Sequence, residues 1–213
     1  MSVANFENEK WQKKEQGINF RLKAALAMME KGPVLDLGCG DGIFLELLKN
    51  KGVAGEGLDV SGVAVEKAKN RGLSVEQFDF SGSPLPFANG AFAAAVLLDV
   101  LEHLYLPQNV LREAGRVARE VVAAVPNFNS LPARLQALMG RAPENNLPKK
   151  GHIYWFNLNV LENLLKESGL AVVEMKTNTI FESRFLLKNI FQLLAKLFPN
   201  LFALSFVVKA KKL

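Results

Sequence analysis

The chain has 213 residues, 49% of them hydrophobic and 22% charged, with a net charge of +5. That length can bury a core of its own, and so ordinary a composition argues against disorder. A single cysteine, Cys39, excludes an intrachain disulfide; the polar N-terminus carries no signal-peptide pattern, and no apolar run reaches the ~18 residues of a membrane span, so a cytoplasmic protein without a transmembrane segment is expected.

Residues 5–30 are charged and periodic, with Phe6, Trp11, Phe20, Leu22, Ala25, Leu26 and Met29 as the apolar set, and predict one or two amphipathic helices. "PVLDL" is a short buried strand, followed by a glycine-rich turn and a helix in "DGIFLELLKNKG" that stops at Gly52. "VAGEGLDV" is the second strand, and Ser61 is placed to cap a helix ending at Gly72. "LSVEQFD" is the third strand, "SGSPLPFANG" a turn-rich loop and "AFAAAVLLDV" a continuously apolar fourth strand. A helix over 107–118 begins at Pro107, and "EVVAAVP" is the fifth strand. A helical stretch and a polar, proline-marked loop follow, then a helix with Asn157 as its cap, a sixth strand "LAVVEMKTNTI", a strongly apolar helix over 183–198 and a seventh strand "LFALSFVVKAKK". Strands apolar on both faces, alternating with helices, predict a doubly wound α/β fold whose parallel sheet is covered on both sides.

In such a sheet a ligand sits beyond the C-terminal strand ends, where strand order reverses. The first strand-to-helix turn, "DLGCGDG", has glycines at 38, 40 and 42, which let the backbone fold tightly and approach a ligand. Asp59 ends the second strand, 23 residues after Asp36, near the spacing at which an acid takes a ribose hydroxyl pair. Asp79 and Phe80 end the third, offering an acceptor for an exocyclic amine and a face for a base. Together these ends describe an adenosine-like ligand. The spacing G-x-G-x-G is not the dinucleotide fingerprint, and Asp36 and Asp41 beside the loop would repel a pyrophosphate but suit an ammonium or sulfonium group. No triphosphate-binding motif is present.

"VLDLGCGDG", "GLDVS", "QFDFSGSPLPFANGAFAAAVLLDVLEHL" and "LREAGRVARE" resemble, in order and spacing, the class I S-adenosylmethionine-dependent methyltransferases of the type 11 kind, over about residues 30–125. "VPNFNSLPARLQALMGRAP" resembles the methionine-biosynthesis protein W family over about twenty residues, whereas the N-terminal helical region and the apolar C-terminal helix depart from that family's pattern. The superfamily resemblance implies one Rossmann-like domain of seven mostly parallel strands with an antiparallel last strand, residues 1–30 as a helical lid, and 127–157 and 181–200 as acceptor-side insertions. It implies S-adenosylmethionine as cofactor and methyl transfer to a small-molecule acceptor. By position, Asp36 would orient the loop and the methionine ammonium, and Gly38, Cys39 and Gly40 would approach the methionine part through backbone. Asp59 would hold the ribose with Val60 beside the adenine, Asp79 and Phe80 would take the adenine, and Leu98 would offer a carbonyl to the ammonium. The narrower resemblance implies an alternative: a non-catalytic subunit acting through a partner enzyme in methionine biosynthesis. A nicotinamide oxidoreductase is a third reading.

His103, Tyr105 and His152 are the catalytic candidates, and His152, Tyr154 and Trp155 are read as lining an acceptor pocket or else as an aromatic cluster packing one sheet edge. Cys39 reads as a small buried residue rather than a reactive thiol. Two histidines and one cysteine give no metal spacing, so no metal is expected. The helix over 183–198 has a wide apolar face (Leu186, Leu187, Ile190, Phe191, Leu193, Leu194, Leu197, Phe198) opposite Arg184, Lys188 and Lys196. Core packing under the sheet is the first reading; a lid over an apolar acceptor, a homodimer surface or membrane-surface contact are the alternatives. The basic clusters at Lys13 and Lys14, at Lys149 and Lys150 and in the tail over 209–212 read as solvated ends, and no nucleic-acid partner is expected.

Overall fold

The computed structural model describes residues 3–13, 17–181 and 185–213. Lys14, Arg184 and the first residues of the predicted C-terminal helix lie outside them, as does the side chain of Leu186. Two N-terminal helices, α1 (Val3–Lys13) and α2 (Phe20–Met28), precede an alternation of β1 (Val34–Leu37), α3 (Ile43–Asn50), β2 (Gly55–Asp59), α4 (Gly62–Asn70), β3 (Ser74–Gln77), β4 (Phe92–Leu98), α5 (Pro107–Val117) and β5 (Ala118–Pro126). Then come α6 (Leu131–Leu138), α7 (Leu158–Glu167), β6 (Leu170–Asn178), α8 (Phe185–Leu197), α9 (Pro199–Phe202) and β7 (Ser205–Lys212). The predicted caps are in place: Ser61 Oγ accepts from Ala64 N and Asn157 Oδ1 from Val160 N, and Asn19 does the same for α2.

The strands form one sheet in the order β3-β2-β1-β4-β5-β7-β6. Strands β1 to β5 pair in parallel, and β7 inserts antiparallel between β5 and β6. This is the expected doubly wound sheet with its antiparallel last strand. The central strands alternate between two cores, as a two-residue period requires. Leu35, Leu37, Ala95, Leu97, Val121 and Ala123 face one core with residues of α5 and α7. Val34, Ala94, Val96, Val122 and Ala124 face the other with residues of α2, α3 and α4. Strand order reverses between β1 and β4, so the C-terminal ends of β1, β2, β3 and β4 share one edge of the molecule.

Two surface readings are corrected. The helix α8 is not core under the sheet: Ile190, Leu193, Leu197 and Phe198 are each more than half exposed, and the helix rests on buried Ala195 and on Phe191, whose ring meets Phe181 and Phe202. A helical period reports that one face is apolar, not what covers it. The basic tail is not simply solvated either. It is β7, in which buried Lys209 bridges Glu30 at 3.2 Å and Glu120 at 3.1 Å, while Lys211 meets Glu120 at 2.8 Å. Burial alone would raise the Glu120 carboxyl, but the bonds from Lys211 and Lys209 hold it below the usual range.

Candidate functional site

The turn after β1 folds back across β2, with Gly38 N and Cys39 N both donating to Leu58 O, at 2.7 and 3.2 Å. Gly38 has φ +79, and a Cβ there would run into the Val100 side chain, so only glycine fits. Gly42, at φ +82, opens α3 packed against Leu73 and Ala68. Asp59 ties the turn down: Oδ2 accepts from Gly40 N and Oδ1 from Ser61 N, each at 2.8 Å. Each oxygen keeps a second lone pair for a ligand. Burial raises the Asp59 carboxyl, and the two backbone bonds oppose that shift.

Beyond the strand ends lies a cavity of about 260 Å³. Six expected ligand residues line it: Gly38, Asp59, Val60, Asp79, Phe80 and Leu98. Asp36, Cys39 and Gly40 do not. Asp36 is buried in β1, and burial, with the charge of Asp59 adding, pushes its carboxyl up to about 8. Burial also raises the Cys39 thiol, with Asp36 and Asp59 adding, which fits a packing role. Asp41 pairs with Arg71 at 3.1 Å, and Arg71 also holds Glu46. The loop's second acid is therefore neutralised by the protein rather than offered to a ligand. Asp79 is exposed and closes its own turn, Oδ1 accepting from Ser81 N and Ser81 Oγ at 2.9 and 2.6 Å.

Two sets of lining residues were not picked out by sequence reasoning. One lies in α1, within the region expected as a helical lid, whose Val3, Glu7, Lys10 and Trp11 form a wall of the cavity. It is fastened across α4, where Asn8 Oδ1 accepts from Ser61 Oγ at 2.7 Å and Lys67 Nζ donates to Trp11 O at 2.7 Å. The other is Asp99, directly after β4, a non-glycine residue at φ +59 that lines the cavity and pairs with Arg21 at 2.9 Å. An acid following an apolar strand was the available signal. Four carboxyl groups (Glu7, Asp59, Asp79, Asp99) and one ammonium (Lys10) thus face the cavity, an arrangement that favours a ligand bearing positive charge.

His103, in a 3₁₀ turn over Leu101–His103, and Tyr105, 80% exposed at the rim, also line the cavity. The turn holds the chain beyond α6: Glu102 O accepts from Ile153 N and Tyr154 N, and Gly151 O accepts from His103 Nδ1 at 3.0 Å. That docking sets His152 against His103, ring centroids 4.9 Å apart. His152 Nδ1 donates to Asn145 O at 2.7 Å. Glu102 is buried beneath them, and burial, with Asp99 adding, raises its carboxyl well above the usual range. Ligand atoms of Glu102, His103 and His152 all lie within 4.8 Å of one another, a grouping that residues 49 positions apart could not announce. None of the three residues read for an acceptor pocket lines this cavity: His152 packs against His103, Tyr154 stacks on Phe156 at 4.9 Å, and Trp155 is 59% exposed.

The crystal structure of a magnesium protoporphyrin IX methyltransferase from Synechocystis with bound SAH superposes with a TM-score of 0.69 over 99% of this chain and 98% of that one, at 15% identity. That of a SAM-dependent methyltransferase from Thermotoga maritima, a possible histamine N-methyltransferase, gives 0.66 over 91% and 87%, at 18% identity. The shared architecture is the Rossmann-like methyltransferase fold. In sequence, a ubiquinone biosynthesis O-methyltransferase of Burkholderia pseudomallei is 27% identical over 153 residues, 67% of this chain and 66% of that protein. The matched span is thus just under two thirds of that relative's length. A family model extends well past the twenty residues that suggested it and takes in α8, which the sequence reading had set apart: residues 21–205 match "Methionine biosynthesis protein MetW". On that match, spanning nearly the whole sheet and its helices, the chain belongs to the MetW family within the class I methyltransferase superfamily.

Proposed function

We propose that the strand-end cavity binds S-adenosylmethionine and that the protein transfers its methyl group to a small-molecule acceptor. One observation carries this reading: Gly38, Asp59, Val60, Asp79, Phe80 and Leu98, picked from four separate strand ends, line a single cavity. The donor set suits the cofactor. Asp59 has a lone pair on each oxygen for a vicinal diol, Phe80 offers a face to the adenine, and the carboxylates attract the sulfonium and ammonium charges. Asp36, Cys39 and Gly40 act from behind the wall, fixing the turn that carries Gly38.

When bound, the cofactor supplies an activated methyl group, displaced in line as an acceptor lone pair forms the new bond and the carbon–sulfur bond breaks. The protein's part is alignment and exclusion of water. The helix α1 serves as the lid, with Trp11 closing over the cavity, and we assign the segments over 127–157 and 185–200 to the acceptor side. His103 borders the place where an acceptor must arrive and is the candidate to receive its proton, with Tyr105 at the rim. The matched ubiquinone biosynthesis O-methyltransferase favours an oxygen acceptor.

The test is calorimetric titration of S-adenosylmethionine and of S-adenosylhomocysteine into the purified protein, followed by a transfer assay with methyl-labelled cofactor and a panel of phenols and carboxylates. Micromolar binding with transfer to one class is expected. A folded protein that binds neither ligand would overturn the proposal. Binding without transfer to any acceptor would keep the cofactor and overturn the catalytic half in favour of a subunit acting through a partner.

A further inference from the structure

We propose that Glu102, His103 and His152 form a binding site for a divalent transition-metal ion of the zinc type at the wall of the cavity. The inference does not depend on methyl transfer, but a bound ion would occupy His103 Nε2 and take that residue out of the role of proton acceptor. Three independent features converge on it.

The first is proximity without sequence neighbourhood. The chain has two histidines in all, and both stand in this cluster, with ligand atoms within 4.8 Å of each other and of the Glu102 carboxylate. The second is the orientation of the rings. Each Nδ1 faces a backbone carbonyl, Gly151 O for His103 and Asn145 O for His152. Where the rings are neutral and Nδ1 donates to these carbonyls, Nε2 carries the lone pair, the arrangement in which a backbone carbonyl orients a metal-bound imidazole. The third is the carboxylate. Glu102 is 1% exposed, and its Oε2 has no hydrogen-bond partner among the described residues. A buried carboxyl oxygen without a partner is satisfied either by a proton or by a cation that displaces it.

The donor chemistry selects the ion. Two imidazole nitrogens and one carboxylate oxygen suit zinc, cobalt and their neighbours, whereas magnesium prefers oxygen alone. Three protein ligands leave one tetrahedral position open. His103 borders the cavity, so the fourth ligand comes from its contents, a water or an acceptor oxygen. Ligands of a tetrahedral ion lie ~3.4 Å apart for bonds of ~2.1 Å, so loading draws the set inward by roughly 1 Å. His152 is half-buried, its ring also edge-on to Phe128 at 5.4 Å.

The test uses tag-free protein stripped with chelator, titrated with Co²⁺ alone, read by calorimetry and by visible absorption, with Zn²⁺ added in competition. The expected result is one equivalent bound, an intense four-coordinate Co²⁺ spectrum, displacement by Zn²⁺, and a roughly 10–100-fold loss of affinity in both His152→Ala and Glu102→Gln. The two variants guard against misfolding, since one truncates a half-buried ring and the other keeps the shape of the buried side chain; unchanged far-ultraviolet circular dichroism confirms each. No stoichiometric binding to wild type, equal binding in folded His152→Ala, or preference for Mg²⁺ over Zn²⁺ would each overturn the assignment.

Discussion

Replacing Asp59 by asparagine separates the two duties that the carboxylate performs. In the wild type its oxygens accept two buried backbone hydrogen bonds, from Gly40 N and Ser61 N, each 2.8 Å long. Asparagine keeps one acceptor and turns an NH₂ toward the other donor. Leaving one buried N–H unsatisfied costs about 1–3 kcal/mol. Against that, the buried charge is gone, and burial is the largest influence on this group. The two effects oppose each other, so the net loss of stability at neutral pH is about 1 kcal/mol. Ligand affinity has no such compensation. A ribose diol would lose charge-assisted bonds worth about 1.5–3 kcal/mol, a rise in Kd of roughly 10- to 150-fold. Calorimetric titration with S-adenosylhomocysteine measures the affinity, and urea unfolding of the same preparation measures the stability. An affinity within threefold of wild type, in a variant of near-wild-type stability, would refute the placement of Asp59 on the ligand.

Asp36 governs a pH dependence. Its folded value of about 8 lies above the ordinary 3.8, so between those limits the folded state holds a proton that the unfolded chain releases. Its contribution to stability is therefore complete below about pH 4 and declines as pH rises toward 8, by at most about 1.4 kcal/mol per pH unit. Asp36→Asn removes that slope, and urea unfolding of both proteins from pH 5 to 7.5 should show the variant gaining steadily on the wild type; a constant difference would contradict it. Glu120→Ala leaves Lys209 with the exposed Glu30 as its partner among the described residues, and should cost about 1–3 kcal/mol in chemical denaturation, against a smaller loss for Glu30→Ala. Equal losses would mean that the pair on β5 and β7 is not the one that compensates the lysine. Leu193→Asp and Leu197→Asp, on the exposed face of α8, should each shift stability by no more than about 0.5 kcal/mol, and a large loss by thermal melting would place that face in a packed core.

Much of this architecture could be read along the chain because its causes are local. Alternating apolar strands and amphipathic helices, Ser61 and Asn157 at helix starts, glycines where φ turns positive, and an acid at the end of each of the first strands are all written within a few residues of where they act. So is the methyltransferase superfamily, whose motifs sit in those same turns. What lay beyond reach depends on which distant segments pack together. A lid over residues 1–30 was expected, but which face of α1 walls the cavity follows from Asn8 reaching Ser61, more than fifty residues along the chain. His152 meets His103 because Ile153 and Tyr154 hydrogen-bond to the carbonyl of Glu102. Asp41 is neutralised by Arg71, and Lys209 is buried because antiparallel pairing sets β7 beside β5 and brings the lysine against Glu120. The apolar face of α8 shows the same limit, for periodicity gives a helix its two faces while only the arrangement of its neighbours decides which is covered. Local hydrogen bonding and the alternation of polarity act over a few residues, so the sequence alone determined the elements and their order. Juxtaposition is set by the closing of the sheet and the docking of its loops, and that only the tertiary structure decided.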